Sequence, residues 1–165
     1  MVITLTGFMG SGKTTVGKVL ADFLGCPFSD LDDLIEKKAG KSIPEIFAQD
    51  GEVAFRQLEA KLLRQTVEKY GENTAILSLG GGAVTTPASV TLLHEKTVCI
   101  YLRATLETLL QRLEGQTAGR PLADDALAER LTERAPLYEK TAHVIVDTDG
   151  LSPEEVADEI IICAL

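Results

Sequence analysis

The chain has 165 residues, 45% of them apolar and 25% charged, which excludes wholesale disorder and fits one domain with a substantial core. It carries 25 acidic and 16 basic residues. The resulting net charge of −9 argues against non-specific binding to nucleic acid or to anionic membranes, because both need a basic surface.

Strand and helix patterns alternate in the first half of the chain. A β-branched strand is predicted at residues 2–6, and an amphipathic helix runs from Lys13 to a stop at Gly25, with apolar residues three and four apart. A short second strand is predicted at residues 26–29. Helices are then predicted at about residues 31–39 and 43–69, the second with Ser42 as its N-cap.

The same alternation continues in the second half. A third strand at residues 74–79 stops at three glycines, and a helix begins near Pro87. The remaining predicted elements are a strand at residues 97–102, a helix at 105–114, a mobile loop at 115–125, a helix at 126–135, a strand at 143–146 and a C-terminal helix from Ser152. Continuous apolar strands between helices predict a parallel sheet covered on both faces, in a single three-layer α/β/α domain spanning residues 1–165.

Cysteine and membrane signals are weak. The three cysteines, Cys26, Cys99 and Cys163, lie far apart and form no C-x-x-C pair, which favours a reduced, cytoplasmic setting over a disulfide framework or a zinc cluster. No stretch approaches the roughly 18 consecutive apolar residues of a membrane span, and we expect no signal peptide.

The segment Gly7-Phe8-Met9-Gly10-Ser11-Gly12-Lys13-Thr14 matches the phosphate-binding loop G-x-x-x-x-G-K-[ST] between a strand and a helix. Backbone N–H groups of such a loop converge on phosphate oxygens, and the helix N-terminus adds a positive dipole end. We therefore expect a nucleoside triphosphate, with Lys13 at its β- and γ-phosphates and the Thr14 hydroxyl on Mg²⁺. The predicted ATP-binding residues of this loop are Gly10, Ser11, Gly12, Lys13, Thr14 and Thr15.

Two nucleotide-using classes remain, small-molecule kinases and GTP-driven switches or motors. A GTPase needs a guanine-reading Asn-Lys-x-Asp, which is absent, and the only asparagine is Asn73. The Asp147-Thr148-Asp149-Gly150 segment follows the last strand, too late for a switch, and is interpreted as a turn. A motor would carry an acid on the third strand, which here ends Leu77-Ser78-Leu79-Gly80. The sequence favours a small-molecule kinase.

Asp30 and Asp32 follow the second strand. In an extended chain, residues i and i+2 point the same way, so two carboxylates would face the crevice in which α/β folds bind ligands. One would serve Mg²⁺ and the other would accept a proton from a substrate hydroxyl. The alternative is an acidic cluster at a helix N-terminus, where Asp32 and Asp33 would be favourable in any protein.

At this point the chain resembles the shikimate kinase family over nearly all of its length. The motifs that carry the resemblance occur in order: Gly7–Thr14 followed by Thr15-Val16-Gly17, Asp30-Leu31-Asp32, Ile46-Phe47, Gly51-Glu52, Phe55-Arg56-Gln57-Leu58-Glu59, Leu79-Gly80-Gly81-Gly82-Ala83, Arg120-Pro121-Leu122 and Arg134-Ala135-Pro136-Leu137-Tyr138. The resemblance implies transfer of the ATP γ-phosphoryl group to the 3-hydroxyl of shikimate, in chorismate and aromatic amino-acid synthesis. It also implies a P-loop kinase fold with sheet order 2-3-1-4-5, Mg²⁺ as cofactor and a substrate-binding helical region at about residues 31–60. We expect a monomer.

The resemblance also assigns roles in the acceptor site. Arg56 and Arg134 match the arginines that bind the shikimate carboxylate, a task that suits a planar guanidinium. Asp32 matches the carboxylate on the substrate hydroxyl and is the candidate base, and Asp30 matches the carboxylate on the metal side. Gly80, Gly81 and Gly82 match the substrate-binding glycines, with Gly81 offering its N–H. Glu59 could orient Arg56 from the same helical face, although an exposed Arg–Glu pair is the alternative.

Further roles concern the nucleotide. Arg120, in the loop at residues 115–125, matches the lid arginine that folds over the phosphates, and the alternative is a solvated loop arginine. Arg112 resembles an adenine-stacking arginine. Leu151 departs from the pattern, since some members carry an arginine there, so adenine must be contacted by apolar or backbone groups. A kinase of another polyol acid such as gluconate, and a nucleotide-binding domain without transfer activity, remain alternatives.

Overall fold

In the computed structural model, the described residues are 1–114 and 124–165. Its strands are β1 (Val2–Thr6), β2 (Phe28–Asp30), β3 (Ala75–Ser78), β4 (Val98–Arg103) and β5 (Val144–Asp147). Its helices are α1 (Lys13–Leu24), α2 (Leu31–Ala39), α3 (Ile43–Tyr70), α4 (Pro87–Lys96), α5 (Leu106–Glu114), α6 (Asp124–Thr141) and α7 (Pro153–Ala164), with a 3₁₀ turn at Ala83–Thr85.

All the strands of the described residues form one parallel sheet in the order β2-β3-β1-β4-β5, which confirms the predicted topology. Side chains alternate between its two faces. On one face, Ile3, Leu5 and Ile100 pack against α1 and α7. On the other, Leu77 and Cys99 pack against α3 and α4, while Tyr101 packs under α6. Helices on both faces make the three predicted layers.

The order of the strands determines which loops lie next to each other at the predicted ligand-binding edge of the sheet. β1 and β3 are neighbours in the middle of the sheet, and the P-loop follows β1 while the glycine turn follows β3. β2 pairs with the other edge of β3, so Asp30 lies beside Ser78. The carboxyl ends of three adjacent parallel strands therefore bring together segments from three parts of the chain, as is usual for ligand sites in this fold class.

Two elements differ from the sequence-based expectation. The segment Ile43–Tyr70 is not one continuous helix, because Gly51 adopts φ 85°, ψ 169° and breaks it. The helix predicted at residues 126–135 extends to Thr141 with Pro136 inside it, although proline removes one helical hydrogen bond there. The same helix begins at Asp124, two residues before its predicted start, and residues 115–123 of the predicted loop lie outside the described residues.

Two predictions outside the site concern cysteine and membrane insertion. Cys99 is fully buried, and burial raises the pKa of its thiol to about 11. Among the helices of the described ranges, none combines the length and the apolar character needed to span a bilayer.

Candidate active site

Lys13 stands at the first position of α1, where the P-loop becomes helical. Its ammonium group donates to the carbonyl oxygens of Gly7 at 2.8 Å and Phe8 at 3.0 Å, so it lies folded over the loop. The pKa of Lys13 is lowered to about 8, mainly by burial. The charges of Asp32 and Asp30 oppose this shift, and the charge of Arg134 adds to it. The P-loop lysine is thus electrostatically coupled to both predicted aspartates and to one predicted acceptor arginine.

Thr14 and Asp30 form an oxygen-rich pair next to Lys13. The Thr14 hydroxyl donates to Oδ2 of Asp30 at 2.7 Å. Thr14 is exposed and Asp30 is partly exposed, so the pair is open to solvent on one side. A hydroxyl and a carboxylate are the hard oxygen ligands that Mg²⁺ prefers, and an open side leaves room for phosphate and water ligands. The donor set fits the predicted cation.

The reasoning that placed Asp32 in an extended segment is wrong. The strand ends at Asp30, and Leu31 already begins α2, so Asp30 and Asp32 are not alternate residues of one strand. Asp30 instead caps the helix, because its Oδ1 accepts the N–H of Asp32 at 2.9 Å. Asp30 uses one carboxylate oxygen for the cap and the other for Thr14, while Asp32 and Asp33 lie in the first turn of α2, as the helix-terminus alternative expects.

Asp32 nevertheless faces the same crevice from the first turn of α2. Burial is the main cause that raises its pKa, the neighbouring Asp30 charge adds to this, and the Lys13 ammonium opposes it. A carboxylate with a raised pKa beside a lysine is a stronger base than a solvent-exposed one. Asp32 therefore has the chemistry expected of a group that accepts a proton.

Arg56 and Glu59 form a shielded ion pair on α3. Nη1 of Arg56 lies 2.8 Å from Oε1 of Glu59, and the side chains are 17% and 1% exposed. The alternative of an exposed pair is wrong, because Glu59 is buried. Burial raises the pKa of Glu59, and the hydrogen bond from Arg56 opposes that rise. Within the described ranges Nε of Arg56 is buried without a hydrogen-bond partner, and Oε1 of Glu52 lies 3.9 Å from it.

The three glycines after β3 form a turn that packs against these charged groups. A β-carbon on Gly80 would lie 2.7 Å from Oδ1 of Asp32, and one on Gly82 would collide with the Arg56 guanidinium. Any side chain at these two positions would thus displace Asp32 or Arg56. Glycine at these positions therefore lets Asp32 and Arg56 pack directly against the main chain. The sequence did not indicate this reason for the glycines.

Arg134 and Tyr138 reach the same turn from α6, one helical turn apart. Nη1 of Arg134 would lie 3.5 Å from a β-carbon on Gly81. The Tyr138 hydroxyl donates to the Gly81 carbonyl oxygen at 2.6 Å. Arg56 and Arg134 therefore flank the glycine turn from α3 and α6, as two arginines that share one carboxylate would require. Tyr138 belongs to one of the family motifs, but the sequence predicted no role for it.

A groove of about 320 Å³ lies on the other side of the P-loop. Arg112 crosses it, with Nη1 at 3.3 Å from the Ser11 carbonyl oxygen and Nη2 at 3.0 Å from that of Thr148. These in-plane hydrogen bonds hold the guanidinium flat, so its face can stack on an aromatic base. Leu151 and Pro153 form an apolar part of the groove wall, and the apolar or backbone contact to adenine expected at Leu151 stays a prediction.

Thr148 is a site residue that sequence reasoning missed. The sequence suggested only a turn there, yet Thr148 is buried, and its hydroxyl donates to the Arg103 carbonyl oxygen at 3.1 Å while accepting from Arg112. Its place after the carboxyl end of β5 was the available signal, because that edge of a parallel sheet is where ligands bind.

Two phenylalanines of the family motifs lie at the core, and the predicted lid arginine lies outside the described residues. Phe55 is buried in the core, and Phe47, which is 37% exposed, packs its ring 4.6 Å from that of Phe55. Arg120 and its Pro121-Leu122 neighbours lie outside the described residues, so the lid arginine stays a prediction.

Comparisons with known proteins converge on one family. The family model described as shikimate kinase matches residues 9–164. A shikimate kinase of Enterococcus faecalis is 43% identical over 164 residues, which covers 96% of this chain and 95% of that protein. One of Geobacter sulfurreducens is 45% identical over 163 residues, covering 96% and 87%. The solved shikimate kinase of Acinetobacter baumannii in complex with shikimate superposes with a TM-score of 0.88 at 35% identity, covering 97% of this chain and 90% of the other.

Proposed function

The chain belongs to the shikimate kinase family, whose reaction is the ATP-dependent phosphorylation of shikimate, and we propose that its residues around the P-loop and the glycine turn transfer the γ-phosphoryl group to the 3-hydroxyl. The product, shikimate 3-phosphate, serves chorismate and aromatic amino-acid synthesis. One observation supports this assignment above the others: Asp32, Arg56 and Arg134 converge on the glycine turn beside Lys13.

On the nucleotide side, the P-loop N–H groups and the α1 N-terminus hold the phosphates, and Lys13 leaves the loop carbonyls to contact the β- and γ-phosphates. Thr14 and Asp30, whose oxygens lie 2.7 Å apart, would hold Mg²⁺. Bound there, the ion would supply positive charge that offsets the negative charge developing on the phosphates. We further assign Gly10, Ser11, Gly12 and Thr15 to ATP binding, and Arg112 to the adenine.

On the acceptor side, Arg56 and Arg134 bind the shikimate carboxylate, and Gly81 offers its N–H. Gly80 and Gly82 keep Asp32 and Arg56 close to the main chain. The buried Glu59 holds the Arg56 guanidinium in place, so less rotamer freedom is lost when the acceptor binds. This arrangement presents the hydroxyl of the acceptor towards Asp32.

Asp32 accepts the proton of the 3-hydroxyl as the oxygen attacks the γ-phosphorus and the bond to the β–γ bridging oxygen breaks. Lys13 offsets negative charge on the transferring group and stays close enough to Asp32 to change its pKa. Arg120 is proposed, from the family resemblance alone, to add a second cation over the phosphates. Replacement of Arg120 by alanine should then greatly reduce turnover with the fold intact.

An acceptor assay tests the proposal. With ATP and Mg²⁺ present, ADP formation is followed by a coupled assay with shikimate, with gluconate and without an acceptor. We expect turnover with shikimate alone. Turnover only with gluconate would assign a different polyol acid, and no turnover with either would leave a nucleotide-binding domain.

We also propose that the protein acts as a monomer in the cytoplasm. The spacing of the three cysteines supports a reducing compartment. Light scattering coupled to size-exclusion chromatography measures the oligomeric state directly, and a dimer mass would refute the monomer.

A further inference from the structure

The hydroxyl of Tyr138 holds the middle of the glycine turn from a distant part of the chain. Its hydrogen bond to the Gly81 carbonyl oxygen is 2.6 Å long and joins residues 57 positions apart. Tyr138 is fully buried, and its ring packs 5.0 Å from the ring of Tyr101. Burial raises the pKa of Tyr138 to about 12, so the hydroxyl keeps its proton and remains a donor at any neutral pH.

The neighbouring carbonyl groups of the turn are held locally, and that of Gly81 is not. The Gly80 oxygen accepts the N–H of Ala83 at 3.2 Å, and the Gly82 oxygen accepts the N–H of Thr85 at 3.0 Å. Between them, the Gly81 oxygen is bonded by α6 through Tyr138. Because glycine peptides rotate more freely than others, this bond is what sets the plane of the Gly81–Gly82 peptide.

That peptide lies between the two acceptor arginines. The Arg56 guanidinium rests against Gly82, and Nη1 of Arg134 lies 3.5 Å from the β-carbon position of Gly81. A rotation of the peptide would therefore move the surface against which both guanidinium groups rest. Tyr138 also follows Arg134 by one turn of α6, so a single helix supplies one arginine and the group that fixes the turn.

We propose that Tyr138 is a positioning residue of the acceptor site, whose hydroxyl fixes the Gly81–Gly82 peptide and thereby the placement of Arg56 and Arg134 against the substrate. The inference rests on the proposed function, since it concerns the acceptor of that reaction. Tyr138 contacts the glycine turn and has no role in the transfer step itself. It acts on the affinity for shikimate and leaves nucleotide binding unchanged.

Tyr138→Phe tests the role because it removes one hydroxyl and keeps the ring. We expect the KM for shikimate to rise about tenfold, since a buried carbonyl loses its donor, with an unchanged KM for ATP. Tyr101→Phe is the matched control. Tyr101 is equally buried in the same aromatic pair, and within the described ranges its hydroxyl makes no hydrogen bond to the turn. Its KM for both substrates should stay at the wild-type value.

Two further readouts separate positioning from a structural role. Backbone amide resonances of Gly81 and Gly82 should shift in Tyr138→Phe and stay in place in Tyr101→Phe. A lower melting temperature with an unchanged KM for shikimate would overturn the inference, as would equal kinetics of the two variants. Wild-type protein that fails to phosphorylate shikimate would instead refute the proposed function, so the two failures are distinguishable.

Discussion

The hydroxyl of Thr14 donates to Oδ2 of Asp30 at 2.7 Å, while Oδ1 of the same carboxylate accepts the N–H of Asp32 at 2.9 Å. One side chain thus joins the nucleotide-binding loop to the start of the acceptor-binding helix. The two tasks need different properties of Asp30. A helix cap needs only an acceptor oxygen, whereas a cation site needs the negative charge.

Asp30→Asn should separate these tasks. Asparagine caps helices as well as aspartate does, so the melting temperature should change little. We expect the Mg²⁺ concentration for half-maximal activity to rise about 10- to 100-fold, the range typical of losing a group that supports a metal site. Titration of activity with Mg²⁺ at saturating shikimate measures it. Asp33→Asn, on the exposed side of the same helical turn, is the control; an unchanged Mg²⁺ requirement in Asp30→Asn would exclude Asp30 from the cation site.

Asp32→Asn should lower kcat by about 10²- to 10⁴-fold, the usual contribution of a general base, while ATP still binds. The same substitution should raise the melting temperature of the ligand-free protein at pH 7. Burial and the Asp30 charge raise the pKa of Asp32 above its unfolded value. Its contribution to stability is therefore present at low pH and is lost as the pH rises through the folded pKa, so the ionised form is a cost at pH 7.

Calorimetry and steady-state kinetics on one preparation test both effects of Asp32→Asn. Asp33→Asn again serves as the control, since its carboxylate is exposed. A kcat close to the wild-type value would refute the role as a base. A lower melting temperature would show that the ionised Asp32 stabilises the fold and would contradict the electrostatic account.

The sheet order was predicted from the family resemblance, whereas most helices and strands were predicted from their own local signals. The P-loop and the Arg56–Glu59 pair were predictable for the same reason. The G-x-x-x-x-G-K-[ST] motif and the i, i+3 spacing each lie within a short stretch of sequence. The helix at residues 31–39 was predicted, yet Asp32 was treated as extended, because the change from strand to helix at Leu31 depends on a single cap at Asp30. The contact between Tyr138 and Gly81 spans 57 positions, and only packing of α6 on the sheet creates it.

The glycine turn shows the same limit. Three successive glycines indicate that there is no room for side chains at these positions, and the family resemblance assigned the space beside them to the substrate. The structure assigns two of the positions to Asp32 and Arg56 of the chain itself. Which group approaches a glycine depends on where α2 and α3 lie over the sheet, and no local pattern states that placement.

ATP affinity should fall as the pH rises above 8. Burial lowers the pKa of Lys13 to about 8, so above that pH the free protein holds the neutral amine, and the phosphates must bind together with a proton. We expect the Kd for ATP to rise about tenfold per pH unit between pH 8.5 and 9.5. Calorimetry at pH 9 in buffers of different ionisation enthalpy should show uptake of close to one proton.

Lys13→Met is the comparison for this pH dependence. It should bind ATP weakly, with a Kd that no longer changes over the same pH range. Proton uptake by this variant equal to that of the wild type would assign the ionisation to another group. An absence of uptake by the wild type at pH 9 would show that Lys13 stays charged despite its burial.

Arg56→Lys should raise the KM for shikimate while the protein stays folded. Alanine would be a poor choice, because it would leave Glu59, 1% exposed, without its cation at a cost of about 3–5 kcal/mol. Lysine keeps the charge beside Glu59 and loses the planar fork. If one charged hydrogen bond is lost, worth about 1.5–3 kcal/mol, the KM for shikimate should rise roughly 10- to 150-fold, with an unchanged KM for ATP. Arg64→Lys, exposed on the same helix, should leave both values unchanged. A wild-type KM for shikimate in Arg56→Lys would mean that Arg56 only neutralises Glu59, and Arg134 alone would then bind the carboxylate.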